Sequence, residues 1–308
     1  MYKRQVSRGT YRYTFQGGIP STYLPPINDG PDYGPDDGEL TGRPLLDGTY
    51  TVAMTFGWDY TVNGVSEREV TNVHRDFAIG NAGTLAPREV VRTDGCNRCH
   101  DQLQFHGGRR RTVTSCLMCH TAGMESSAPP NSVLGRRENL EFQSMIHRLH
   151  SGHSLPSVQG VTTAPNGDRD YTVAPASYNY EDVVWPQWPS LNAPMPRDSG
   201  YTTLSSADQA KENAIRSGPV NCAACHGDPD GDGPLEPPAQ GDLVYAQPTR
   251  RACTSCHDDW IPEFPYTSNM QVMPAQTNDA TCTICHPATG SNLAVIDGHL
   301  HPLVDETF

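Results

Sequence analysis

No run of about 18 consecutive apolar residues, the length a helix needs to cross a bilayer, occurs in this chain of 308 residues. A membrane-spanning helix is therefore not expected. The basic start Met1–Arg8 has no apolar stretch behind it, so no signal peptide is visible. The chain is expected to be a mature form or a piece of a longer protein. Apolar side chains are scarce: 36% of residues are hydrophobic, while 28 glycines and 27 prolines make up about 18%, between ordinary usage and the disordered range. An apolar core for the two ordinary domains that this length suits is hard to build from such a composition. Positive charge is short as well. Lys and Arg total 22 against 35 Asp and Glu, a formal net charge of −13, so nucleic acid and anionic lipid surfaces are repelled.

No cysteine stands outside one repeated pattern. All ten fall in five copies of Cys-x-x-Cys-His: Cys96, Cys99 and His100; Cys116, Cys119 and His120; Cys222, Cys225 and His226; Cys253, Cys256 and His257; Cys282, Cys285 and His286. Two thiols three residues apart can add across the two vinyl groups of one porphyrin, and the histidine that follows lies where it can reach the iron as proximal ligand. Structural zinc also uses paired cysteines but requires no histidine after each pair, and a disulfide framework requires none either. With 12 histidines in 308 residues, chance fills all five positions with probability (12/308)⁵, about one in ten million. Five covalently bound haem c groups are expected. Their flat apolar surfaces would stand in for the missing core, and their propionates would deepen the acidity. Attachment of c-type haem follows export, so an extracellular or outer-cell-surface location is expected.

Residues 49 to 62 alternate without a break. Tyr50, Val52, Met54, Phe56, Trp58, Tyr60 and Val62 share one face and Thr49, Thr51, Thr55, Asp59 and Thr61 the other, the period of a half-buried strand. Asn63-Gly64 gives a type I′ turn signal, and Val65 to Ile79 returns as the partner strand. Tyr11, Tyr13 and Phe15 suggest an earlier strand, and a loop rich in Gly, Asp and Pro (Asn28 to Glu39) follows it. From Cys96 onward loops dominate. Helices are expected over Glu138 to His150, ended by Gly152, and over Ser206 to Arg216, with Gly218-Pro219 as the stop. Leu155 to Met195 is proline-rich, carries Trp185 and Trp188, and holds no cysteine motif.

Seven histidines remain after the five proximal ones: His74, His106, His147, His150, His153, His299 and His301. Five irons with two axial imidazoles need five of them. Such irons exchange electrons with little rearrangement and leave no position open to a substrate. His147 and His150, three apart on the expected helix, lie on neighbouring faces and can serve two different haems. His106 opens His-Gly-Gly-Arg-Arg-Arg, where glycines let the backbone approach a porphyrin and arginines can pair with propionates. Asp228, Asp230 and Asp232 match the first half of a calcium loop but lack its closing glutamate. A solvated acidic turn is the alternative.

Four stretches together resemble the OmcA/MtrC family of outer-membrane multihaem cytochromes c. They are Cys96-Asn-Arg-Cys-His-x₅-His-Gly-Gly-Arg-Arg110, Met145-Ile-His-Arg-Leu-His-Ser-Gly152, Tyr180-Glu-Asp-Val-Val-Trp-Pro-Gln187 and Asn221-Cys-Ala-Ala-Cys-His226. The resemblance covers about residues 45 to 301, hairpin included, and matches one of the two β domains and one of the two pentahaem domains typical of the family. It implies electron transfer at the cell surface, with distal ligands at His106, His147, His150 and His299. Relatives usually carry a further histidine about eleven residues before the last motif. Here that stretch reads Asn269-Met270-Gln271-Val272-Met273. The fifth distal ligand is expected to be His153, just past Gly152, with His301, His74, Met270 and Met273 as rivals.

The expected fold is a small N-terminal antiparallel β domain without haem (1–90), followed by a mostly irregular, haem-packed multihaem cytochrome c domain with a few short helices (91–308). The expected function is extracellular electron transfer along five closely spaced bis-histidine haems to other redox proteins or external acceptors such as minerals, flavins or electrodes. A filament of copies with haems touching across subunits is the alternative. A reductase of a small oxyanion is disfavoured, because no Cys-x-x-Cys-Lys occurs.

Overall fold

A computed structural model of the chain describes residues 2–8, 10–130, 135–185, 197–217, 222–228, 236–268, 271–291 and 293–299. Strands pair only as two-stranded antiparallel ribbons among these residues. The first is β1 (Tyr2–Ser7) with β2 (Thr10–Thr14), and the second is β3 (Gly48–Val62) with β4 (Val65–Ile79). Two short ones follow, β5 (Thr162–Thr163) with β6 (Arg169–Asp170) and β7 (Tyr266–Ser268) with β8 (Gln271–Met273). The helices are α1 (Thr93–His100), α2 (Val113–Leu117), α3 (Phe142–Ser151), α4 (Pro156–Gln159), α5 (Ser206–Ile215), α6 (Ala223–His226), α7 (Leu243–Ala246), α8 (Arg250–Cys253), α9 (Cys282–Cys285) and α10 (Val295–His299).

Each cysteine motif lies on or beside a helical turn. Residues three apart on a helix share a face, so one turn brings both thiols of a motif to the same side. The backbone N–H of His120, His226, His257 and His286 donates to the carbonyl of the first cysteine in its motif at 2.8–3.0 Å, which sets the imidazole one turn further along. Side-chain caps start several of these helices. Thr112 accepts from the N–H of Ser115, Ser205 from Asp208 and Thr249 from Ala252, satisfying N–H groups that a helix start leaves unpaired.

The long ribbon holds an unbroken register from Gly48 opposite Ile79 to Val62 opposite Val65. Its turn takes the left-handed conformation at both Asn63 (φ 52°) and Gly64 (φ 80°), as a type I′ hairpin requires. The alternation predicts that the face carrying Phe56 and Trp58 is the covered one, and the structure reverses this along the outer half. Phe56, Trp58, Tyr60 and Val62 are exposed, with Trp58 at 60%, and so are Val65 and Val73 beside them. The opposite face packs on residues 107–111. Asn72 donates to the carbonyl of Arg109 and accepts from the N–H of Arg111, Arg110 donates to Thr55 Oγ1, and Arg68 donates to the carbonyl of Gly107. A segment presenting carbonyls, N–H groups and guanidinium groups needs polar partners, and the Thr/Asn face supplies them. The base of the apolar face is covered by Tyr23, whose hydroxyl lies 2.8 Å from that of Tyr50.

The Asn28 to Glu39 loop is stitched to the motif-bearing region. Buried Glu125 accepts from the N–H groups of Asp32 and Tyr33, and its own N–H donates to the carbonyl of Asn28. Arg250 donates to the carbonyl of Asp36 and pairs with Asp37, Glu263 and Asp279. Both long helices of the sequence reading are present, as α3 and α5. Gly218 and Pro219 lie outside the described residues.

The deepest polar contact joins α3 to the fourth motif. Both terminal nitrogens of Arg148 lie 3.1 Å from Asp258 Oδ2, and Asp258 also accepts from the N–H and hydroxyl of Ser157. Burial pushes the Asp258 carboxyl up, against the pull of Arg148 and Ser157, while Arg148 remains a firm cation facing that carboxylate. Breaking a buried pair strands the other charge, at about 3–5 kcal/mol. Asp258→Ala is therefore expected to destabilise the haem-loaded protein by about that amount in denaturant unfolding. Asp59→Ala, at the exposed Arg68 pair, should leave the midpoint unchanged.

Candidate haem-binding sites

Four of the five proximal histidines face a second imidazole. Ring centres are 6.1 Å apart for His100 and His150, 6.1 Å for His120 and His106, 6.2 Å for His226 and His147, and 6.3 Å for His257 and His299. A ligating imidazole nitrogen sits about 2 Å from its metal, with the ring centre roughly 1 Å further out. Two imidazoles on opposite sides of one iron thus put their centres about 6 Å apart. All four pairs have this spacing, so the residues fit a haem iron between them.

Orientation comes from the backbone. His120 Nδ1–H donates to the carbonyl of Leu140, His150 to Ile146 and His299 to Val295, each at 2.8 Å. This fixes the tautomer with Nε2 unprotonated, as an axial ligand requires. Burial favours the neutral form of four of the rings. It holds His147 down at about 4, with further push from His226, and lowers His150, His226 and His257 in the same direction.

His147 and His150 face different motifs, the third and the first, as their spacing on α3 predicts. His106 takes a left-handed backbone (φ 50°), followed by Gly107 (φ 68°) and Gly108 (φ 75°). This tight reversal is closed by paired hydrogen bonds between Phe105 and Arg110 and sets His106 opposite His120. A cavity of about 340 Å³ opens beside it, lined by Ala53 and Thr55 of the ribbon, Arg109, Arg110 and Cys119 among others. The two arginines stand where haem propionates would meet cations.

Two features were not read from the sequence. Trp185 packs edge-on against His150 with ring centres 5.4 Å apart. Arg148 and Asp258 bind α3 to the segment after His257. The only advance signal was the position of Trp185 in the Tyr180 to Gln187 string, since neither its ring contact nor an ion pair between residues 110 positions apart leaves a local pattern.

The fifth motif differs. His286 Nδ1 lies 3.0 Å from the carbonyl of Leu293, but no ring of another described residue faces it. His153 sits exposed in the turn Gly152–Ser154, and His74 is exposed on β4 opposite Ala53. The structure brings neither across from His286. His301 and Met270 lie outside the described residues, while Met273 ends β8. Asp228 is buried, and Asp230 and Asp232 lie outside the described residues.

Residues 88–299, spanning all five motifs, match the family described as outer membrane cytochrome MtrC/MtrF-like, domains II/IV. The chain belongs to this family. The long hairpin precedes the matched region, so the family match stops short of the β part that the sequence resemblance had included. Among curated proteins, the multihaem cytochrome MtrC of Shewanella baltica (strain OS185) is 27% identical over 159 residues, covering 51% of this chain and 21% of the relative. The crystal structure of the outer membrane decahaem cytochrome OmcA aligns over 77% of this chain and 27% of its own, with 22% identity and a TM-score of 0.39. The chain thus spans about a fifth of the MtrC relative and about a quarter of OmcA.

For this cytochrome-family chain, His147→Ala and His150→Ala are each expected to leave the covalent haem content unchanged, because thioether bonds do not involve the distal side. Each variant should convert one haem from low-spin to high-spin, and the double variant two. Pyridine haemochrome quantification beside magnetic circular dichroism checks both counts. A double variant opening only one iron would show that the two imidazoles share a site.

Proposed function

We propose that this chain is an electron-transfer protein acting outside the cell, which passes electrons along five covalently attached haems to redox partners or external acceptors such as minerals, flavins or electrodes. Family membership supports the cytochrome reading, and the four facing imidazole pairs carry the bis-histidine reading. Bound haem iron would supply one-electron chemistry. The chain supplies the rest. Its cysteines tether, its paired imidazoles hold both axial positions, and its buried hydrogen-bonded networks keep those imidazoles in place.

A second imidazole facing four of the five proximal histidines supports a carrier over a reductase, which needs one axial position free. His286 would hold the fifth iron, with a distal ligand drawn from His153, His301, His74 or Met270. The haem-bearing unit is taken to begin near residue 91.

The ferrous protein is expected to be low-spin at all five haems, and flash-photolysis should detect no rapidly binding carbon monoxide. Fast binding to one haem in five would return an open site and the reductase reading. A redox titration of the wild type beside His153→Ala addresses the fifth ligand. One haem titrating well above the other four identifies a methionine ligand, since a thioether raises the potential. An unchanged low-spin spectrum in His153→Ala removes His153 from the candidates.

A further inference from the structure

Both imidazoles of the first pair carry a further aromatic ring on their flank. Phe105 stands edge-on to His100 with ring centres 6.3 Å apart, and Trp185 edge-on to His150 at 5.4 Å and 71°. The hydrogen bond from His150 Nδ1–H to the carbonyl of Ile146 fixes where that nitrogen points but leaves the ring able to swing about the N–O line. A contact off that line fixes the plane, and Trp185 supplies it. Close backbone approach brings the indole there: His153 N–H donates to the carbonyl of Val183 at 2.8 Å, and Val183 N–H to that of Tyr180 at 3.0 Å. Gly152 permits this, since a Cβ at that position would stand 2.3 Å from the Val183 oxygen. The turn that ends α3 therefore also seats the segment that carries the tryptophan.

The four facing pairs differ in the angle between their ring planes. It is 80° for His100 and His150 and 89° for His257 and His299, but 30° for His106 and His120 and 43° for His147 and His226. In a low-spin ferric iron between two imidazoles, aligned planes separate the energies of the d orbitals that share the unpaired electron, whereas crossed planes leave them close together. Crossed planes thus stabilise the ferric form less, and the iron is easier to reduce.

We propose that Trp185 is a positioning residue for the haem of the first motif: it holds the His150 ring crossed to that of His100, and so keeps the reduction potential of that haem above the value that aligned rings would give. Trp185 acts through His150. The inference rests on the bis-imidazole reading above and adds to it the side chain that ranks one haem among the others. A haem of raised potential holds an electron longer than its neighbours, so the angle bears on where charge rests along the chain.

The test is proton NMR of the oxidised, haem-loaded chain, in which haem methyl signals are spread widely by aligned axial rings and bunched by crossed ones, with a redox titration beside it. His150→Ala identifies the methyl set of the first-motif haem, because that set alone loses its low-spin shifts. In the wild type this set is expected to be bunched. In Trp185→Leu, which keeps apolar bulk but lacks a flat ring edge, it should spread and the midpoint of that haem should fall, while the other sets stay in place. Trp185→Phe restores an edge and should return both readouts towards the wild type, with five covalent low-spin haems in either variant. A wild-type set already widely spread overturns the proposal, as do unchanged shifts and midpoint in Trp185→Leu, or an equal displacement of every set. A wild type with no low-spin haem at His100 and His150 overturns the bis-imidazole reading as well, a failure distinct from a silent Trp185→Leu.

Discussion

The ion pair between Arg148 and Asp258 is the contact on which the facing imidazoles depend. Arg148 stands between His147 and His150, and Asp258 follows His257 directly. One buried contact therefore fixes three imidazoles belonging to three different motifs. Desolvation opposes burying both charges, and a pair of this kind is favourable only when every lone pair and proton finds a partner. Here Ser157 donates to Asp258 twice, and the Tyr178 hydroxyl lies 3.3 Å from Arg148. With those partners the contact is specific in direction as well as in distance. It permits one register of α3 against the fourth motif, whereas an apolar patch would tolerate sliding.

The same solution recurs through the molecule. Among the described residues, as many polar or charged side chains are buried as apolar ones. Glu212 accepts from Arg169, from the Tyr171 hydroxyl and from the N–H of Asp198, tying α5 to the segments before it. Glu125 and Arg250 hold the Asn28 to Glu39 loop. Buried polar networks pay off only when nearly complete, and these are built largely from carboxylates receiving backbone N–H groups, partners that loops have in excess. A chain rich in glycine and proline thus uses its unpaired backbone groups to secure positions that a richer apolar composition would secure by packing.

What the sequence made legible was local. The hairpin turn at Asn63-Gly64, the strands on either side, α3 and α5 follow from periodicity and capping, and the cysteine motifs from covalent chemistry. That His147 and His150 face rings of different motifs agrees with their spacing on one helix. The covered face of the ribbon was not legible, because alternation says that two faces differ without saying which meets a neighbour, and here the neighbour is polar backbone. Nor was the pairing of four motif histidines with the rings that face them, which depends on contacts across up to 79 positions, as with His147 and His226. Trp185 and Asp258 belong to the same class: their roles exist only once the chain has folded back.

The placement of His147 and His150 on one helix would constrain any haems held against them. Residues three apart are separated by about 4.5 Å of axial rise and by about 60° of rotation short of a full turn, so groups bound against His147 and His150 would lie to neighbouring sides of α3 at similar height. Their separation would then be set by the rigid geometry of one ten-residue helix, and loosening of the surrounding loops would move both sites together. The other two imidazole pairs draw their second ring from separate elements, a left-handed loop at His106 and α10 at His299, whose positions can shift independently. Coupling between haems bound at the first and third motifs would accordingly tolerate sequence change in the loops better than coupling to the second or fourth.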